Sequence, residues 1–130
     1  MSDVLVLETR KEADDRAKQI PEPVGYRILC MVPKIDESFG SGLVKPESTI
    51  RVEEQLTIVL YVAKLGPDAY QDKVKYPTGP WCREGQFIIT RAYAGTRVSI
   101  HGTEWRIIND DTVEAVVDDP RGIRLAGKSL

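Results

Sequence analysis

One histidine and two cysteines are all this chain offers toward soft-metal or thiol chemistry. Cys30, Cys82 and His101 lack the paired spacing of zinc ligands, so no metal site is expected. Two cysteines cannot form a disulfide framework. One buried and one half-exposed free thiol suit a reducing compartment. No Gly-x-x-x-x-Gly-Lys-Ser/Thr segment occurs, which argues against phosphate-loop nucleotide hydrolysis. No Gly-x-Ser-x-Gly elbow occurs either, and Gly40-Ser41-Gly42 is too short and wrongly placed to replace it. Catalytic and cofactor-binding residues are therefore not expected, and the chain is not read as an enzyme. No apolar run has the length of a bilayer span. Residues 1–8 have no basic n-region, and their apolar run is too short for a signal peptide. The cytoplasm is the expected compartment, and no membrane partner is expected. A net charge of -2 gives no basic face, so nucleic acid is not an expected partner.

What is present suits one small β domain. The apolar fraction of 42% in 130 residues is enough for one core. Residues 1–20 read as an extension. Glu8 to Gln19 are helix formers without an apolar stripe, so the expectation is a short solvated helix or a disordered arm. Ile20-Pro-Glu-Pro23 then breaks helix. Short runs rich in Val, Ile, Tyr, Phe and Trp follow, separated by Gly, Pro and Asp clusters. They are Gly25–Val32, Leu56–Leu65, Phe87–Arg91, Arg97–His101, Thr103–Ile108 and Thr112–Val117. His101-Gly102 is a hairpin turn, because Gly takes positive φ freely. Asn109 to Thr112 is a second turn with Asx caps, which is also the reading of Asp110-Asp111 in place of a cation site. Gly66–Pro80, with three prolines and two glycines, is irregular. Trp81 is expected to plug the barrel end, and Gly95 to turn a barrel corner. The fold class is thus all-β: a small, partly open barrel. The domain would span 21–123, with 124–130 a flexible tail.

The strands Gly25–Val32 and Leu56–Leu65 are joined by a long segment, 33–55, of Gly, Ser, Glu and Lys. Loops of that length in compact domains tend to be functional or disordered. Phe39-Gly-Ser-Gly-Leu-Val-Lys-Pro46 carries the apolar couplet Leu43-Val44 near its tip. Such a couplet buries apolar area only when a partner supplies a groove, and so reads as a docking tag.

The order of these elements from about Ile20 to Ile123 resembles the GroES-type co-chaperonin family. Gly25-Tyr-Arg-Ile-Leu29 is similar to its opening strand, and Gly40-Ser-Gly-Leu-Val44 to its mobile loop. Val62-Ala-Lys-Leu-Gly66 is similar to the strand that ends in glycine before the roof. Arg83-Glu-Gly-Gln-Phe-Ile-Ile89 and Tyr93-Ala-Gly-Thr-Arg-Val98 resemble its Lys-x-Gly-Asp-x-Val and Tyr-Gly-Gly segments. Glu104 to Ile108 and Asp111 to Val117 resemble its closing strands. The chain departs from the pattern at Leu56-Thr57, where the family has glycine, at Gln86, where it has Asp, and at Lys45, where the docking tripeptide has leucine. The N-terminal arm and the Gly66–Pro80 insert exceed a minimal member and are similar to bacteriophage-encoded versions.

The resemblance implies a homoheptameric ring that caps a nucleotide-bound GroEL-type chaperonin and encloses a client protein. It implies chaperonin binding through Gly42, Leu43, Val44 and Lys45. Two apolar side chains at ~1.5–3 kcal/mol each support weak docking, which several loops on one ring convert to avidity. It also implies a subunit interface in which the first and last strands of neighbours pair, through Tyr26, Ile28 and Cys30 on one side and Val113, Ala115 and Val117 on the other. Such pairing would remove two exposed sheet edges. Gly66–Pro80 would roof the cap, with Tyr70 and Tyr76 either packed under its proline turns or facing the chamber. Phe39 is either a further docking contact or packed on its own barrel. A virion decoration protein on the same barrel is the alternative reading. A medium-chain alcohol dehydrogenase domain shares the barrel topology, but the zinc ligands and dinucleotide-binding unit it needs are absent from the sequence.

Overall fold

The structure is a computed structural model, described here over residues 11–34 and 57–127. A helix, α1, covers 11–17, with every residue exposed. Six strands follow: β1 (Arg27–Met31), β2 (Val59–Leu65), β3 (Phe87–Ile89), β4 (Thr96–Ile100), β5 (Thr103–Asn109) and β6 (Ala115–Val117). They form one antiparallel sheet in the order β4-β5-β1-β2-β3-β6. The sheet does not close: among the described residues β4 and β6 each pair on one side only. The fold is the expected small all-β type.

The core follows from the strand sequences. β1 reads Arg-Ile-Leu-Cys-Met, an apolar run without polar alternation, and Ile28, Leu29 and Cys30 are all fully buried. A run of that kind suits a strand flanked on both sides. β1 pairs with β5 from Arg27 opposite Asn109 to Met31 opposite Trp105, and with β2 through a register shift between Leu29 and Cys30. Ile28 and Cys30 pack with Leu60, Val62, Ile88 and Ile108 in one apolar cluster. Each large aliphatic chain so buried contributes about 1.5–3 kcal/mol.

Two glycines are required by close approach. A Cβ on Gly66 would lie 2.4 Å from the Gly25 carbonyl oxygen and 2.7 Å from that of Arg27. A Cβ on Gly95, at φ +77, would lie 2.4 Å from the Ile107 carbonyl oxygen. The β4–β5 turn holds His101 at φ 46 and Gly102 at φ 80, the signature of a two-residue primed turn. His101 also meets the Gln19 amide oxygen at 2.6 Å, which ties the chain after α1 to this hairpin.

Four expectations need correction. The Asn109–Thr112 turn is a 3-10 turn, Asp110–Thr112, so the last strand starts only at Ala115. Its Asp110 is buried and accepts the Tyr70 N–H, where an Asx cap on the local backbone was expected. Cys82 is buried as deeply as Cys30, because the irregular 66–80 segment folds over it; both thiols are free. Trp81 is 42% exposed and leans on Tyr70 and Tyr76 from outside, so it plugs nothing.

Candidate functional site

Three places on the sheet bear on function: the root of the long β1–β2 connection, the two sheet edges, and the irregular 66–80 segment. The root is built from β5. Strand alternation puts Glu104, Arg106 and Ile108 on one face. Ile108 lies in the apolar core, and Arg106 has no exposed surface. Arg106 Nε donates to the Glu104 carboxylate at 3.1 Å, and its Nη1 donates to the Thr57 carbonyl at 3.3 Å. Arg97 of β4 donates to the same carboxylate through Nε at 3.1 Å. Val32, at the other end of the connection, donates its N–H to the Glu104 carbonyl at 2.9 Å. Burial raises the Glu104 pKa, but hydrogen bonds and charge from Arg97 and Arg106 outweigh it and hold the carboxyl below the ordinary glutamate value. Both ends of the connection are therefore tied to β5, Val32 through the Glu104 main-chain carbonyl and Thr57 through the buried Arg106 guanidinium. The expected docking residues Gly42, Leu43, Val44 and Lys45 lie outside the described residues, as does Phe39.

The expected interface residues separate into two groups. Ile28, Cys30 and Val113 lie in the subunit's own core. β1 offers no edge, since β2 and β5 occupy both its sides; this corrects the expectation of a free strand at Tyr26–Met31. β6 does present an edge, with Ala115 exposed, Val117 half-buried and Val116 39% exposed. Tyr26 and Val24 are exposed just ahead of β1, at 48% and 65%. β1 and β6 are separated in the sheet by β2 and β3.

The 66–80 segment is stapled to the sheet. Gly66 N–H donates to the Arg27 carbonyl at 2.8 Å and Asp68 N–H to the Gly25 carbonyl at 2.9 Å. Tyr70 is held at both ends by Asp110: its N–H donates to the carboxylate at 3.1 Å and its hydroxyl to the Asp110 carbonyl at 2.8 Å. This double hold keeps Tyr70 at φ 61, a costly left-handed conformation for a tyrosine. Tyr70 and Tyr76 are each 2% exposed and meet edge to face at 4.8 Å between ring centroids. They pack under the turns and do not face outward. Burial, then the Cys82 thiol, pushes the Tyr70 hydroxyl up; burial, then Asp110, pushes Tyr76 up to about 12. Burial and the neighbouring Cys82 push the Cys30 thiol up to about 12, against the opposing charge of Arg106. Both thiols are thus held protonated, which suits packing and not nucleophilic chemistry. Among the described residues no group of three His, Cys, Asp or Glu side chains could hold a metal ion, and no helix is long and apolar enough to cross a membrane.

Comparison with curated proteins gives the family. Over 97 residues the chain is 34% identical to Co-chaperonin GroES of Caldicellulosiruptor saccharolyticus, covering 75% of this chain and 96% of that protein. The chain belongs to the GroES co-chaperonin family. Co-chaperonin GroES of Caldicellulosiruptor bescii matches to the same degree. That of Rubrobacter xylanophilus is 29% identical over 98 residues, covering 75% of this chain and 97% of the relative. No protein-family model matches the chain.

Arg106 was missed in the sequence as a site residue. The signal was there: it stands two residues before Ile108 in a strand, at a position with core parity. Asp110 was read as a local Asx cap, and no local pattern marks its pairing with Tyr70, forty residues away.

Proposed function

We propose that this protein is a co-chaperonin that assembles as a heptameric ring, caps a nucleotide-bound GroEL-type chaperonin and encloses a client protein while it folds. The observation that carries the reading is the match to Co-chaperonin GroES over 96% of the relative's length. The long connection between β1 and β2, anchored at both ends on β5, supports docking through Gly42, Leu43, Val44 and Lys45. Docking by apolar contact and release by the partner's nucleotide cycle need no catalytic group in this chain, so the protein acts as a binding partner and not as an enzyme. Its compartment is the bacterial cytoplasm, where such a chaperonin works. The ring contact in this reading uses the β6 edge, with Ala115 and Val117, against the exposed approach to β1 at Val24 and Tyr26 of the next subunit. This arrangement covers one of the two free sheet edges.

The test is capture by a purified bacterial chaperonin with ATP, with ADP and without nucleotide, for the native chain and for a Leu43→Asp/Val44→Asp variant. The native ring should bind only with nucleotide. The variant should fold and assemble as the native chain does and lose capture by at least about a hundredfold, the worth of two buried aliphatic side chains. A variant that fails to fold would put the couplet in the core and remove it from docking.

A further inference from the structure

Arg106 occupies a core position. Replacing both members of a buried ion pair by apolar groups is commonly neutral or stabilising, so stability alone does not account for the Glu104–Arg106 pair, although removing one member by itself is costly. The guanidinium supplies a rigid fork of donors that an apolar residue or a lysine lacks. One arm takes the Glu104 carboxylate at 3.1 Å and another the Thr57 carbonyl at 3.3 Å. Thr57 is the first described residue after the long connection, and Val32, close before it, is bonded to the Glu104 backbone at 2.9 Å. Next to Thr57, the Ile58 carbonyl accepts the Thr90 N–H at 2.8 Å, which carries the anchor on to β3. Among the described residues the groups facing the fork include Glu104 on its own strand, Arg97 on β4 through that carboxylate, and the neutral thiol of Cys30, opposite it in register on β1.

We infer that Arg106 is a positioning residue that seats the root of the β1–β2 connection on the sheet and so fixes where the docking loop leaves the subunit; this rests on the docking role proposed above. The fork needs no contact with the chaperonin. It acts by limiting the orientations of the loop, which lowers the ordering cost of docking.

The experiment compares the native ring with Arg106→Leu and Arg106→Lys by two readouts. The first is amide hydrogen exchange, followed in peptides that carry Val32, Thr57–Leu60 and Thr90, with Tyr70 and Tyr76 peptides as internal controls. The second is nucleotide-dependent capture by a purified chaperonin. Arg106→Leu takes the buried guanidinium from the Glu104 carboxylate and the Thr57 carbonyl, so it should melt below the native ring while it still folds and assembles. Its exchange should rise about tenfold in the three root peptides and not in the controls. Its capture should weaken about tenfold. Arg106→Lys, which keeps the charge and loses the fork, should restore neither. Where Arg106→Leu does not fold, Arg106→Lys carries the same comparison. Unchanged exchange at the root overturns the inference, and so does raised exchange with unchanged capture. Raised exchange in a protein whose native ring is never captured overturns the docking role and leaves the seating of the root standing.

Discussion

Two buried polar clusters hold the two long connections of this small sheet, and they are built from different chemistry. At the start of β2, the root of the 35–56 segment is held by charge: Arg97, Glu104 and Arg106, with backbone groups of Val32 and Thr57. At the end of β2, the 66–80 segment is held by aromatic packing and by one carboxylate: Tyr70, Tyr76, Trp81 and Asp110. The aromatic cluster fixes a whole loop, since its residues are part of that loop. The charged cluster belongs to the sheet, to β4 and β5, and reaches its connection at Thr57. The difference suits the proposed roles, a rigid roof over a chamber and a tether that sets where a docking element begins.

Substitutions can break this contrast at several strengths. Glu104→Ala should cost the most, about 3–5 kcal/mol, because it strips the carboxylate from a fully buried arginine. Chemical denaturation should show this as a large fall in midpoint at constant slope. Asp110→Ala should cost about 1–3 kcal/mol, because the buried Tyr70 N–H loses its acceptor. The release should be local, with 66–80 exchanging amide hydrogen faster than β1 and β5. Tyr70→Phe, which keeps the ring packing, should cost about 1 kcal/mol. Lys75→Ala removes an exposed pair with Asp111 and should leave the denaturation midpoint where it is.

Acid and base should separate the two clusters. Glu104 is held below its ordinary pKa, so its contribution is complete above the usual glutamate value and is lost as pH falls through its own lowered one. The Cys82, Tyr70 and Tyr76 protons are held above their ordinary values. Their contribution is complete below the unfolded pKa values, about 8.5 for cysteine and 10 for tyrosine, and is lost as pH rises through the higher folded ones. Amide exchange should therefore loosen the 32 and 57–60 peptides first once the pH falls below the ordinary glutamate value, and the 66–80 peptides first at alkaline pH. The same order at both extremes would show that the clusters are one unit.

Much of this was legible before the structure. The six strand runs stand out because β-branched and aromatic residues cluster between Gly, Pro and Asp punctuation. His101-Gly102 marked its hairpin and Gly95 its bend, while the carbonyls that crowd Gly66 and Gly95 are visible only in the structure. The family was legible from the order of short motifs, each weak alone. Pairing partners were not legible, since a strand's neighbours depend on contacts remote in sequence. The run Ile28 to Met31 did mark a strand buried on both faces, which leaves its lateral neighbours open. The buried Arg106 and Asp110 were hidden for the same reason. Part of what satisfies each comes from elsewhere in the chain, the Thr57 carbonyl in one case and the Tyr70 N–H in the other.

The most direct test of the account is native mass spectrometry of the full chain mixed with a purified GroEL-type chaperonin in the presence of ADP. The account predicts one heptamer bound per chaperonin ring and none once nucleotide is removed. A folded protein that forms its ring yet gives only the separate masses, with any nucleotide, would contradict it.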